Sequence, residues 1–292
     1  MTAAVHPTEL VGTAAVQIVT RRLDVSTLRG SIIAFPITNP LGMQFGEYVS
    51  PHDGLNMYVS YPGSKEGTVT SRFANFIWEN ATKEADLAID FHENVKPCIH
   101  FSVVPSTNSQ DVENKALNLA EAFGLTVIRQ RGVAMLPGVK PSDRPYPKLC
   151  MDSGIPAFTP EFEAGTDSTF DEGEITVKVA VRGLMNLLKK LDMIPGKVEP
   201  HPEINVLKGK FEAYGSVRAS RGGIVHRTAD VGVKLPKGRT IAKVVNVYGE
   251  EIELVEMPVE GYIQGWTIAV GANRNWSVQS GDNIALIFVE KQ

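Results

Sequence analysis

The feature that most constrains this chain is a change of pattern about two thirds of the way along it. As far as Leu191, short apolar runs alternate with segments of helical spacing. Leu10 to Leu23 sets Val11, Ala14, Ala15, Ile18 and Val19 on one side of a helix, which Arg29-Gly30 stops. Ser31 to Pro36 reads as a short strand, and a Gly- and Pro-rich loop runs from Asn39 to Gly63. Ser71–Lys83, Asp111–Phe123 and Thr176–Leu191 read as helices; Ala85–Phe91, Ile99–Val104, Leu125–Ile128 and Ile155–Phe158 read as buried strands. Such alternation predicts an α/β layer around a largely parallel sheet. Pro195, Pro200 and Pro202 then punctuate a linker, and past about Val206 only short β-rich pieces follow: Gly223–His226, Thr240–Val247, Glu251–Val255, Tyr262–Val270 and Asn283–Val289. The expected organisation is an α/β domain over 1–205 and a small all-β domain over 206–292.

Composition removes several classes of function. With 43% apolar residues among 292 the chain can bury a core, and its 21% charged residues sum to a net charge of -4. It lacks the basic footprint of a nucleic-acid binder and a polybasic patch for anionic membranes. No apolar run approaches the roughly 18 residues of a membrane span. Cys98 and Cys150 cannot build a disulfide framework and fit a reducing cytoplasm. No cysteine pair has zinc-ribbon spacing, so a metal would have to be held by histidines and carboxylates. There is no G-x-S-x-G elbow, P-loop or dinucleotide fingerprint. Met1 leads almost at once into Thr2-Ala3-Ala4-Val5-His6, which reads as the end of a buried strand entered without a run-up.

Three groups of residues could carry chemistry. His6-Pro7-Thr8-Glu9 places an imidazole and a carboxylate three apart before a helix; zinc accepts both at about 2.0–2.2 Å. The same four residues also suit an ordinary helix start capped by Thr8 or Glu9. The apolar run Ala85–Phe91 ends in His92, and open α/β sheets bind ligands beyond the carboxyl ends of their strands. Alone, His92 reads equally as a loop histidine; with His6 and Glu9 it completes a His₂Glu set of the kind catalytic zinc sites use. In Pro156-Ala157-Phe158-Thr159-Pro160-Glu161-Phe162-Glu163, a carboxylate following a short strand would suit a general base, and Glu163 suits a solvated acid better than Glu161 does.

Taken in order, His6-Pro7-Thr8-Glu9, the loop Ser50-Pro51-His52-Asp53-Gly54-Leu55-Asn56-Met57 leading to Tyr61-Pro62-Gly63, Asp90-Phe91-His92, Pro156–Glu161 and the helix Val181–Asn186 resemble the succinylglutamate desuccinylase/aspartoacylase family of zinc hydrolases. The family is related to zinc carboxypeptidases. The resemblance implies a zinc carboxypeptidase-like mixed sheet flanked by helices. From Val217 onward it implies a small C-terminal β domain of barrel-sandwich type. It further implies one Zn2+ held by His6, Glu9 and His92, with Glu161 as the catalytic carboxylate. Family members usually carry several dozen residues before the first zinc motif, which would supply early strands of the sheet.

The departures bear on substrate. Where the family has Asn-Arg to hold the substrate, Tyr58 and Val59 stand here, and Tyr48 is the counterpart of an upstream arginine. Glu93 follows the ligand histidine, where a small residue is usual. Tyr and Val cannot supply the bidentate fork by which Arg holds a carboxylate. Tyr48, Asn56, Tyr58 and Glu93 are therefore the candidate substrate contacts, and the substrate end near the metal is expected to be neutral or cationic, unless Arg129, Arg131 or Arg144 substitutes. The expected function is zinc-dependent deacylation of a small N-acyl compound. The alternatives are a zinc-binding member without catalysis that holds a small ligand or partner, and, less favoured, a terminal peptidase. Val231–Gly238 and Met257–Gly261 look like the half-motifs of biotinyl/lipoyl domains. The turn Tyr248-Gly249-Glu250-Glu251 has no lysine, so the β domain is expected to be structural: a cover for the catalytic domain or a subunit contact in a homo-oligomer. His226 reads as a strand residue.

Overall fold

A computed structural model describes residues 1–131, 144–164, 173–267 and 276–291. They form two compact units. The first holds Met1–Glu93, His100–Phe162 and the chain as far as Val206; the second runs from Leu207 and takes in Asn94–Ile99 and the residues that begin at Glu163.

In the first unit α1 (Val11–Arg22) is buried nearly all round over its first turns, and Arg21 and Arg22 appear only in its last turn. The loop that follows holds a short helix α2 (Pro40–Phe45) and a 3-10 turn at Met57–Val59, where the sequence predicts loop throughout. Pro40 at the first helical position and the Asn39 side chain on the Gly42 N–H start α2, and Gly46 at φ 68° ends it. Then come α3 (Val69–Ile77), β1 (Ala88–Ile89), β2 (His92–Glu93), β3 (Phe101–Pro105), α4 (Gln110–Phe123), β4 (Thr126–Gln130), α5 (Tyr146–Asp152), β5 (Ala157–Phe162) and α6 (Ile175–Lys190).

The sheet order in this unit is β1-β5-β3-β4, with β2 continuing along β5. β1 and β2 run parallel to β5, and β4 is parallel to β3, but β3 and β5 are antiparallel. The sheet is therefore mixed, as the resemblance implies, and less parallel than the alternation alone suggests. Thr2 bridges Asp90 on one side and Phe35 on the other, so the N-terminal residues do pair within the sheet. Ser31–Pro36 does not form the expected strand. Only Phe35 makes a bridge, and Ile33 is half exposed, so this edge has a partner on one side and little apolar burial to hold it.

α1 packs on α6 and α6 on α4, with α4 lying over β3 and β5. Between them Phe91, Phe123, Phe158 and Phe162 form a buried aromatic cluster; Phe123 sits 5.8 Å from Phe158 and 6.1 Å from Phe91. These rings fix β2 and β5, the two strands that carry His92 and Glu161.

The second unit is all β. β6 (Phe211–Arg218), β7 (Gly223–Arg227), β8 (Lys234–Leu235), β9 (Thr240–Val245), β10 (Glu251–Glu256), β11 (Gly261–Trp266), β12 (Ser277–Val278) and β13 (Asn283–Glu290) follow one another. Two antiparallel sheets result, β6-β13-β11-β8 and β10-β9-β7-β12, closing on Ile241, Val244, Ile263, Trp266 and Ile287. The expected fold class, a mixed α/β sheet followed by a small all-β part, is borne out. Val270, at the end of one expected strand, lies outside the described residues. His226 is an exposed residue of β7.

Candidate active site

His6 and Glu9 lie on the four-residue lead into α1, and the backbone N–H of Glu9 closes that turn on the carbonyl of His6 at 3.0 Å. His92 is the first residue of β2. The Nδ1 of His6 is 2.9 Å from Glu9 Oε1, and the Nδ1 of His92 is 2.9 Å from Glu9 Oε2. One carboxylate thus faces both imidazoles, and one ligand atom from each of the three buried residues lies within 4.8 Å of the others. The structure brings together the three residues proposed as ligands.

The far sides of the rings are also held. His92 Nε2 lies 2.9 Å from Asp90 Oδ2, and Asp90 Oδ1 accepts the Thr2 hydroxyl at 2.7 Å. His6 Nε2 lies 3.2 Å from Asn56 Oδ1, which also accepts the Tyr58 N–H at 3.0 Å. Each Nε2 therefore faces an oxygen, which leaves each Nδ1 directed at Glu9 and the common point. Two imidazole nitrogens and a carboxylate, each backed in this way, suit a divalent ion such as zinc. Without an ion, burial alone would raise the Glu9 carboxyl, but the two imidazoles pull it down to about 2. Burial opposes charge on His92, yet Asp90 and Glu9 at its two nitrogens raise it well above the ordinary imidazole range.

Asp90 went unassigned in the sequence. The signal was there: residues two apart on a strand share a face, so Asp90 and His92 meet.

Glu161 is inside β5, not after it, and stands directly opposite His92 in parallel register. It is partly exposed, whereas its neighbours Thr159, Pro160 and Phe162 are buried. Tyr48 stacks on His6 with ring centres 3.9 Å apart, and Tyr58 stands edge-on to His92 at 4.9 Å. Burial first, then Glu9 and Glu161, raise the Tyr48 phenol; burial first, then Asp90 and Glu161, raise that of Tyr58. Both phenols therefore stay protonated. The Asp53 carboxylate accepts the Thr70 N–H at 2.9 Å and its hydroxyl at 2.7 Å, which ties the loop bearing Asn56 and Tyr58 to the start of α3.

Other candidates fall elsewhere. Asn56 sits behind His6, on the side away from Glu9. Glu93 turns one carboxylate oxygen to the N–H of Val11, the first residue of α1, at 2.8 Å, and its own N–H reaches Glu9 Oε2 at 3.2 Å. Val59 is packed against the apolar core. Of the arginines that might replace the family pair, Arg129 is paired with Glu113, while Arg131 and Arg144 are exposed. Glu163 is not a freely solvated acid: its Oε2 accepts the Cys98 N–H at 3.2 Å.

The first unit thus carries a buried His-Glu-His cluster that could hold a divalent ion, with Glu161 opposite His92 on the neighbouring strand. Comparison makes the class specific. Residues 1–136 match the model of the succinylglutamate desuccinylase/aspartoacylase catalytic domain. The resemblance read from the motifs is borne out: the chain is similar to this family. It is 25% identical over 291 residues to the N-alpha-acetyl-L-2,4-diaminobutyric acid deacetylase of Halomonas elongata, covering 98% of this chain and 80% of the relative. The product-bound ectoine utilization protein EutE (DoeB) of Ruegeria pomeroyi superposes with a TM-score of 0.81 at 20% identity, over 99% of this chain and 84% of that one. A succinylglutamate desuccinylase/aspartoacylase from Rhodobacter sphaeroides does so with a TM-score of 0.82 at 21% identity, over 99% and 85%. At these identities the structures speak for the fold.

Proposed function

We propose that the protein is a zinc-dependent hydrolase that cleaves the amide bond of a small N-acyl compound. The observation that carries this reading is the convergence of His6, Glu9 and His92, with Glu161 across the strand pair from His92. An ion held by those three residues supplies Lewis acidity, polarising the amide carbonyl and making water easier to deprotonate. Asp90 and Asn56 keep the two imidazoles in the tautomer and orientation that binding needs. Glu161 takes the proton of the attacking water and delivers it to the amine nitrogen as the C–N bond breaks, so the products are a carboxylate and an amine. The Tyr48 and Tyr58 hydroxyls donate to the carbonyl oxygen as negative charge develops there.

The described lining near the tyrosines is aromatic and acidic. That supports a substrate whose end near the metal is neutral or cationic. The deacetylase relative, named for an N-acetylated diamino acid, agrees with an amine-bearing substrate. Both cysteines are free thiols, which suits a cytoplasmic setting. Among the described residues no helix is long and apolar enough to cross a membrane.

The test is turnover. Zinc-loaded protein, with a chelator-treated control, is offered a panel of N-acetyl and N-succinyl amides that differ in charge. Zinc-dependent release of amine supports the reading. The replacement of the family Asn-Arg pair by buried Tyr58 and packed Val59 favours one other reading, a zinc-binding protein without turnover. Tight zinc binding with no amide cleaved would establish that one instead.

A further inference from the structure

We infer that Glu163 and Gly265 are positioning residues: they clamp the chain just beyond His92 and Glu161 and so hold the spacing of those two groups. The inference rests on the roles proposed above for His92 and Glu161. Both strands leave the site side by side, β2 into Asn94–Ile99 and β5 into Glu163. These outgoing stretches belong to the second compact unit, while the strands themselves belong to the first. They are tied to each other: Glu163 Oε2 accepts the Cys98 N–H at 3.2 Å, and Lys96 Nζ lies 3.9 Å from Glu163 Oε1.

The stretch is then gripped by β11. Ile99 donates its N–H to the Gln264 carbonyl at 2.9 Å, Trp266 donates to the Pro97 carbonyl at 3.1 Å, and Cys98 bridges Gly265. The β11–β13 register shifts between Ile263 and Gly265, so the ladder on the other side is broken at the point where this grip is made. Bulges of this kind re-aim a strand locally. Gly265 is required by space. A Cβ there would lie 2.6 Å from Val95 Cγ2 and 2.8 Å from Cys98 Cβ, inside contact distance for both. Upstream, the Glu93 N–H is bonded to Glu9 Oε2. Slack in Asn94–Ile99 would therefore reach a metal ligand through one residue, and the Glu161 strand through Glu163.

The experiment compares Glu163→Ala, Glu163→Gln and Gly265→Val with the wild type. Its first readout is amide hydrogen exchange on metal-free protein, which needs neither ion nor turnover. The clamp predicts that the Glu93 amide exchanges about tenfold faster in E163A and G265V, while E163Q, whose amide oxygen still accepts from Cys98, stays within about twofold of wild type. The second readout is kinetic: kcat falls about tenfold in E163A with KM little changed, because a small misplacement of the proton-transfer group acts on chemistry before binding. Glu93 protection unchanged in E163A, or lost equally in E163Q, overturns the inference. If wild-type protein hydrolyses no amide, the hydrolase reading fails while the exchange result still decides the clamp. If G265V does not fold, the two Glu163 variants decide it.

Discussion

Asp90, between β1 and β2, and His92, the first residue of β2, stand two residues apart, with Asp90 Oδ2 2.9 Å from His92 Nε2 and both side chains buried. The pair fixes which imidazole nitrogen faces Glu9. Asp90→Ala removes the acceptor and leaves His92 free to turn, so zinc affinity should drop about 10- to 100-fold. Competition against a chromophoric chelator measures it. Affinity equal to wild type would show that Asp90 does not orient the ligand.

The proposed ligands and the proposed base separate by their effects. His6→Ala or His92→Ala should abolish stoichiometric zinc binding. Glu161→Gln should keep the ion and lower kcat by about 10²–10⁴-fold, the range for loss of a general acid–base group. Metal content and initial rates on the same preparations distinguish the two behaviours. Near-full rates in E161Q would place the base elsewhere.

Metal-free protein should have a stability maximum in mildly acidic solution. The folded Glu9 carboxyl lies at about 2, below its ordinary 4.5, so its contribution is present above 4.5 and is lost as pH falls toward 2. His92 is raised above its ordinary 6.5, so its contribution is present below 6.5 and fades as pH climbs toward the folded value. Thermal unfolding of chelator-treated protein from acid to alkaline pH checks both limbs. Zinc binding should strengthen as pH rises over the His92 limb, because the ion and a proton compete for the same nitrogen.

Gly12 sets local preference against packing. Alanine in a helix interior is favoured over glycine by about 1 kcal/mol. In α1, however, a Cβ at Gly12 would lie 2.2 Å from Phe91 Cβ and 3.1 Å from Ala3 Cβ. The clash wins, since overpacking a core costs about 1–3 kcal/mol. Gly12→Ala should therefore lower Tm, and because Phe91 adjoins His92 it should also weaken zinc binding. A rise in Tm would show that α1 can shift freely.

Charge in the substrate gives the last expectation. N-acetyl amides bearing a free amine should be hydrolysed with higher kcat/KM than succinyl-glutamate or acetyl-aspartate. The reverse order would mean that a cationic side chain elsewhere in the protein takes the place of the family arginines.

Much of the site could be read from the sequence because its residues lie next to strong local patterns. His6 and Glu9 precede a helix whose apolar side is plain, and His92 ends an unbroken apolar run. Their convergence was suggested by motif order and is visible only once Thr2 pairs with Asp90. The sequence ends the apolar run at Phe158 and so sets Glu161 beyond the strand, but β5 continues through Pro160 to Phe162. α5 has no sequence pattern of its own: Tyr146–Asp152 is short, and it packs on β1, β3 and β5. Glu93 looked like a substrate contact since an acid beside a ligand invites that reading. Its bond to Val11 links residues 82 apart in the chain, which no local pattern discloses.

That bond has a consequence for how an ion would arrive. Glu93 staples the segment bearing His6 and Glu9 to the strand bearing His92 using only peptide and carboxylate atoms. The socket is thus assembled before loading, so uptake should proceed as simple capture with little change in heat capacity, and the emptied protein should refill without passing through an unfolded state.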